Sequence, residues 1–360
     1  MTDPTPTVER VLDLLRTFPD PETGRDVVTM DQVSDVAVEG ETLRLTLALT
    51  THSAAIRDET RARLIELLQN RFPAAKEVIV RSAIHHRTPM PIGQVGLRAK
   101  SVIAVGSGKG GVGKSTIAAT LAYALSRCGS KVGLLDADVY GPSIPHLLGV
   151  TERPFVQNER IQPAEKDGIK VISMGLLVDS EEAVIWRGPM LHAAITQFIR
   201  DANWGELDYL IIDMPPGTGD IALTLSQLLP LTGAVVVCTP QQVALNDAIK
   251  AMAMFTKVKI PILGVVENMS GFICPDNGKR YDIFGRGGAE TAARERGVPF
   301  LGEAPINIGM RIHGDEGTTA AVFDDETTAV PLMNICRNLV RHLADTAAAN
   351  PPMPSLPVLG

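Results

Sequence analysis

The chain has 360 residues, 45% hydrophobic and 21% charged, with a net charge of -7. That length suits two domains, and that composition supports a large core rather than wholesale disorder. The acidic balance gives no overall field for phosphate backbones, so no nucleic-acid partner is expected. No apolar run reaches the length that spans a bilayer, so no membrane partner is expected either. Met1-Thr2-Asp3-Pro4 has neither the basic nor the apolar region of an export signal, and a cytoplasmic location is expected. The scattered cysteines, Cys128, Cys238, Cys274 and Cys336, do not form a disulfide framework in a reducing compartment.

From the N-terminus, Val8 to Leu15 has the apolar spacing of a helix. Val36 to Val38 and Leu43 to Leu49 read as strands, Arg57 to Leu68 as a second helix and Val78 to Val80 as a third strand. The second strand alternates Leu43, Leu45, Leu47 and Leu49 with other residues, as in a sheet with one buried face. Residues 1–86 are thus expected to form a small α/β accessory domain. Thr88-Pro89-Met90-Pro91-Ile92-Gly93 then punctuates the chain, placing a linker at 87–99.

Beyond Ser101 the texture changes. Short continuous apolar runs, Val102 to Val105, Val132 to Leu135, Tyr209 to Ile212, Ala234 to Val237 and Ile262 to Val266, alternate with helical stretches. Strands apolar on both faces belong inside a sheet covered by helices. Residues 100–345 are therefore expected to form a doubly wound, mainly parallel α/β domain. Residues 346–360, rich in proline, read as a tail.

The segment Gly108-Lys109-Gly110-Gly111-Val112-Gly113-Lys114-Ser115-Thr116 follows the first of these strands and opens a helix. It meets the pattern G-x-x-x-x-G-K-[ST] in the context that its chemistry requires. Its glycines let backbone N–H groups turn inward around phosphate oxygens, and the helix N-terminus adds partial positive charge. Lys114 is placed to reach the β- and γ-phosphates of ATP, and the Ser115 hydroxyl to ligate Mg²⁺. Leu210-Ile211-Ile212-Asp213 ends another strand, so Asp213 would hold the Mg²⁺ through a water. Asp136 and Asp138 stand at a third strand end, the edge where ligands of such sheets bind.

Lys109, a second lysine inside the loop, resembles the deviant Walker A motif of the MinD/ParA and nitrogenase iron-protein class. The resemblance implies a homodimer in which Lys109 crosses to the partner's ATP and neutralises charge developing in phosphoryl transfer. It also implies that Asp138 orients the attacking water, that Asp136 supports the metal site, and that Asn268 contacts adenine beside Thr239-Pro240-Gln241.

Further segments narrow the resemblance. These are Asp136 to Ser143, Trp186-Arg187-Gly188-Pro189-Met190, Asp213 to Asp220, Glu267-Asn268-Met269-Ser270 and Asp282-Ile283-Phe284-Gly285. Together they are similar to the Mrp/ApbC family of iron–sulfur cluster carriers, whose bacterial members often carry a small N-terminal domain like the one holding Asp20-Pro21-Glu22. The resemblance implies an ATPase that passes an iron–sulfur cluster to apo client proteins. That family commonly has Cys-x-x-Cys after its Asn-Met-Ser; here the segment is Cys274-Pro275-Asp276-Asn277, so a dimer offers two thiolates rather than four. Cys274 remains the candidate iron ligand, and an ATP-dependent scaffold or regulator that has lost its cluster is the alternative. Cys128, Cys238 and Cys336 read as small apolar residues.

Overall fold

The computed structural model describes residues 5–139, 141–176, 188–217 and 219–351. Tyr140, Trp186, Arg187 and Thr218, quoted above, and the tail from 352 lie outside the described residues. The chain falls into two compact units, one made of residues 1–87 with 340–360, the other of residues 88–339.

The first unit contains α1 (Val8–Leu15), β1 (Val33–Glu39), β2 (Thr42–Leu49), α2 (Arg57–Arg71) and β3 (Glu77–Ile84). Thr7 caps α1 by accepting from the Arg10 N–H, and the helix buries Val11 and Leu15. In β2, Leu43, Leu45, Leu47 and Leu49 all point into the core, as their period-2 spacing requires. The sheet order is β1-β2-β3, antiparallel then parallel, with α2 making the crossover. At one end of this unit Asp20 is fully buried against Arg87 at 2.9 Å, and Glu22 joins the same guanidinium at 3.2 Å.

The second unit is built on a nine-stranded sheet. In chain order its elements are β4 (Pro91–Ile92), β5 (Leu97–Gly106), α3 (Lys114–Arg127), β6 (Val132–Asp136) and α4 (Ile144–Leu148). Next come the short β7 (Phe155–Gln157), β8 (Arg160–Gln162) and β9 (Ala164–Lys166), then β10 (Ile169–Ser173), α5 (Gly188–Asp201) and β11 (Leu207–Asp213). They are followed by α6 (Gly219–Leu228), β12 (Gly233–Cys238), α7 (Gln242–Lys257), β13 (Ile262–Glu267), β14 (Phe272–Ile273) and β15 (Arg280–Tyr281). The last are α8 (Gly288–Glu295), β16 (Phe300–Glu303), α9 (Ile308–Asp315) and α10 (Glu326–Ala349), whose residues from Val340 on count with the first unit.

The main path runs β16-β13-β12-β5-β11-β6-β10-β9, with β4 paired to β5. Every pairing on it is parallel except β9 with β10, and β4 is antiparallel to β5. The central strands β6, β11 and β12 are buried along their whole length, which is why they read as unbroken apolar runs.

Two expectations shift. The stretch 87–99 is not all linker: Pro91 and Ile92 pair with Arg98 and Leu97, because the turn between them closes a small antiparallel ladder. Residues 346–349, expected in the tail, are the last turn of α10, whose alanines favour helix. Arg341, on this helix within the first unit, donates through Nε and Nη2 to the two oxygens of Glu59 at 2.8 and 2.7 Å.

Candidate functional site

The register of the parallel strands brings the chemistry to one edge. Asp213 stands opposite Asp136 on one side and Val105 on the other. The phosphate loop leaves β5 beyond Gly106, and Cys238 and Glu267 end the next two strands in step. The parallel strands of the sheet thus end along the edge from which the loop springs, the position at which such sheets bind ligands.

Within the loop, Gly111 and Gly113 take positive φ of 80° and 78°, a region that side chains disfavour. A Cβ at Gly108 would come within 2.1 Å of the Asp247 backbone on α7, so that glycine is required by close approach. Gly110 and Val112 complete the curve, and Val112 is buried. Ser107 closes it by donating to the Lys109 carbonyl at 2.9 Å. The loop lines a cleft of about 260 Å³ with Lys109, Lys114, Ser115, Thr116 and Asp138 on its walls, together with Ser107, Gly141, Ser143 and Pro216.

Lys114 is buried and turned onto the acidic side of the cleft. Its Nζ lies 2.5 Å from Asp213 Oδ1, 3.1 Å from Ser115 Oγ and 3.8 Å from Asp138 Oδ2. Asp213 is wholly buried, and its second oxygen, Oδ2, has no hydrogen-bond partner. Asp136 accepts from the N–H groups of Asp138 and Ile144 and from the Ser173 hydroxyl at 2.9 Å. Burial, with the Asp213 charge adding to it, pushes the Asp136 carboxyl up to about 7. Burial likewise raises Asp213, against the pull of the Lys114 ammonium. Three carboxylates and one ammonium in a small volume are short of positive charge, and a divalent cation fits that deficit. The Lys109 side chain is half-buried and forms no ion pair among the described residues.

Asn268 follows β13 and is buried. Its Nδ2 donates to the Val112 carbonyl at 2.9 Å, which places it directly against the phosphate loop. Thr239 is buried nearby in chain terms, after the Cys238 carbonyl that accepts the Asn268 N–H, and its hydroxyl has no partner. Cys274 is half-buried at the tip of the β14–β15 hairpin, where its N–H donates to the Lys279 carbonyl. Asn277, in the place of a second cysteine, is tied into the same tip by accepting from the Lys279 N–H at 2.9 Å. Among the described residues no cluster of three or more His, Cys, Asp or Glu has the arrangement of a metal site.

The structure thus gathers Lys109, Lys114, Ser115, Thr116 and Asp138 around one cleft, with Asp136 and Asp213 behind Lys114, and sets Asn268 on the loop. It leaves Cys274 on a separate hairpin. Sequence reading missed Ser173, which holds Asp136; a serine ending a neighbouring parallel strand was the available signal. It also missed that Cys128 and Cys336 meet. Their thiols share a hydrogen bond, which with burial raises the Cys336 thiol well above its ordinary range. Cys238 fits the packing role, and burial beside Glu267 pushes its thiol up to about 12.

Comparison with known proteins places the chain. The family described as the NUBPL iron-transfer P-loop NTPases matches residues 98–341, and a family of iron–sulfur cluster assembly proteins matches residues 8–80. The chain belongs to the iron-transfer P-loop NTPase family. It is 45% identical to an iron–sulfur cluster carrier protein of Synechocystis sp. over 95% of this chain and 99% of the other. It is 41% identical to the iron–sulfur cluster carrier protein of Escherichia coli over 93% of this chain and 90% of that one. Among solved structures, a nucleotide-binding protein of Archaeoglobus fulgidus in complex with ADP matches with 42% identity and a TM-score of 0.56. That match covers 62% of this chain and 88% of that one. No described helix of the present chain is long and apolar enough to cross a membrane.

Proposed function

We propose that the protein is a homodimeric Mg-ATPase that binds an iron–sulfur cluster and passes it to apo client proteins in the cytoplasm. The observation that carries the nucleotide half is the Lys114–Asp213 pair. Lys114 lines the cleft and lies 2.5 Å from the strand-end carboxylate of Asp213, within the same small volume that a triphosphate would fill. When ATP enters the cleft, Lys114 leaves Asp213 for the β- and γ-phosphates, where its charge is better used. The freed Asp213, with its partnerless Oδ2, Asp136 and the Ser115 hydroxyl are the residues that would hold Mg²⁺. That ion would neutralise phosphate charge and fix the γ-phosphate in line. Asp138 stands at the cleft to orient water, and Lys109 serves the partner's ATP.

The cluster half rests on the family and on Cys274, one thiolate per chain. The scaffold reading keeps a specific observation in its favour: Asn277 occupies the second cysteine's place and is engaged in the turn. The experiment pairs two measurements. Lys114→Ala is expected to lower ATP affinity at least tenfold, the loss of a charge-assisted bond of roughly 1.5–3 kcal/mol, while circular dichroism shows the fold retained; unchanged affinity ends the nucleotide reading. Anaerobic reconstitution of wild type, Cys274→Ser and Asn277→Cys follows. Iron is expected to fall in the first variant and rise in the second, and no iron in any of the three makes the scaffold the better account.

A further inference from the structure

Between the phosphate loop and the Cys274 hairpin lies one short turn, Glu267 to Gly271, and it is held at both ends. At the loop end, the Asn268 amide donates to Val112 and occupies the space over Gly113, where a Cβ would lie 2.1 Å from Nδ2. Any rearrangement of the loop around phosphates therefore acts on Asn268 first. The next residue, Met269, has φ of 57°, a left-handed conformation that a side chain rarely adopts and that persists only where its surroundings impose it. The restraint is the fully buried Glu267. One of its oxygens accepts from the Ser270 hydroxyl at 2.7 Å and from the Gly287 N–H, the other from the Ala289 N–H at the start of α8.

At the far end stands Arg280, in the second strand of the hairpin and opposite Ile273, the neighbour of Cys274. Its Nη2 reaches Glu303 on β16 at 3.0 Å and both the carbonyl and hydroxyl of Ser270 at 3.4 Å; its Nε donates to Asp282 at 2.8 Å. Gly271 leaves room for this guanidinium, since a Cβ there would lie 2.5 Å from Nε. One planar fork thus joins the strained turn, the sheet edge and the hairpin. A point-charge ammonium could not satisfy the same set of acceptors.

We propose that Arg280 is a positioning residue that makes the Cys274 hairpin respond to the nucleotide. Occupation of the phosphate loop moves Asn268, the turn moves as a unit because Glu267 fixes its shape, and Arg280 passes the change to the hairpin. This rests on the nucleotide reading above and adds to it a regulated position for Cys274, whatever that thiol binds. By linkage, ligation at Cys274 alters nucleotide affinity by the same factor.

The test uses the full-length chain carrying Cys128→Ser, which leaves Cys274 as the half-buried thiol beside the buried Cys238 and Cys336. ADP binding is first measured by calorimetry with Mg²⁺. The rate of Cys274 modification by a water-soluble maleimide is then followed by peptide mass spectrometry, with and without saturating Mg-ADP. The expected result is a rate that changes about fivefold or more on ADP binding, the scale of an ordinary coupling. Arg280→Gln and Ser270→Ala should each bind ADP within about twofold of the parent, yet bring the rate ratio close to one. A purely structural role would change both rates together and leave their ratio intact. Two results overturn the proposal while the nucleotide site stands: a ratio of one in the parent with ADP bound, or an undiminished ratio in both variants. Failure of the parent to bind ADP overturns the nucleotide reading and the proposal with it.

Discussion

Asp20 is a carboxylate with no exposure to water, yet it stays ionised. Burial works against its charge, and the Arg87 guanidinium with hydrogen bonds from Thr23 and Gln32 outweighs burial, so its pKa lies below the ordinary 3.8. A depressed folded-state value means that the unfolded chain binds more protons, so this stabilisation is present above pH 4 and drains away as pH falls through the folded value. Urea unfolding of the intact protein between pH 6 and pH 3 is expected to lose stability less steeply for Asp20→Asn than for wild type. At pH 6 the variant should be the less stable, by up to about 3 kcal/mol, because Arg87 keeps its charge and loses its partner. Equal slopes would remove the ion pair from the acid response. Asp136 has the opposite sign: its value of about 7 means that ionising it costs folded-state stability as pH rises from about 4 toward 7.

At the level of elements, the phosphate loop offers a paired comparison. Gly111 and Gly113 both need positive φ, but a Cβ meets nothing within 4 Å at the first and Asn268 at the second. Gly111→Ala is expected to cost the backbone strain alone, about 1 kcal/mol, and Gly113→Ala more, up to about 3 kcal/mol, with a further fall in ADP affinity. Thermal unfolding with ADP titration checks both; identical effects would mean that Asn268 does not press on the loop. These elements differ in how readable they were. The buried parallel strands announced themselves as apolar runs because both faces are covered. The glycine loop did so because only glycine takes its φ values. The strands β7 to β9 are three residues each and partly exposed, so no hydrophobic period marks them. The order of the sheet was not written in any run, since crossovers through helices decide which strands become neighbours. For the same reason the Lys114–Asp213 contact, 99 residues apart, and the meeting of Cys128 with Cys336 were out of reach of local pattern, whereas the residues of the cleft were not.

For the whole molecule, the consequential expectation is action across a dimer. Lys109→Ala and Asp138→Ala should each slow ATP turnover far more than they weaken binding, with an arginine-finger-like loss of roughly 10³-fold for the lysine. Mixed together, the two variants would form dimers with one site lacking both groups and one site complete. ATPase activity measured against mixing ratio is expected to pass through a maximum near equal amounts; a flat line would place Lys109 on its own subunit's nucleotide. The discontinuous first unit bears on how any such work is carried out. Residues 340–360 belong with residues 1–87, and Arg341 finds its bidentate partner in Glu59. A truncation beginning at residue 88 therefore does not detach a bead from a string. It strips the final turns of α10 of the residues they fold against, and takes from Arg341 its bidentate partner Glu59. A loss of activity after such trimming would report damage to that helix before it reported any duty of the small domain. Removing residues 1–87 and 340–360 together takes away the whole first unit, but it ends α10 in mid-helix at Leu339.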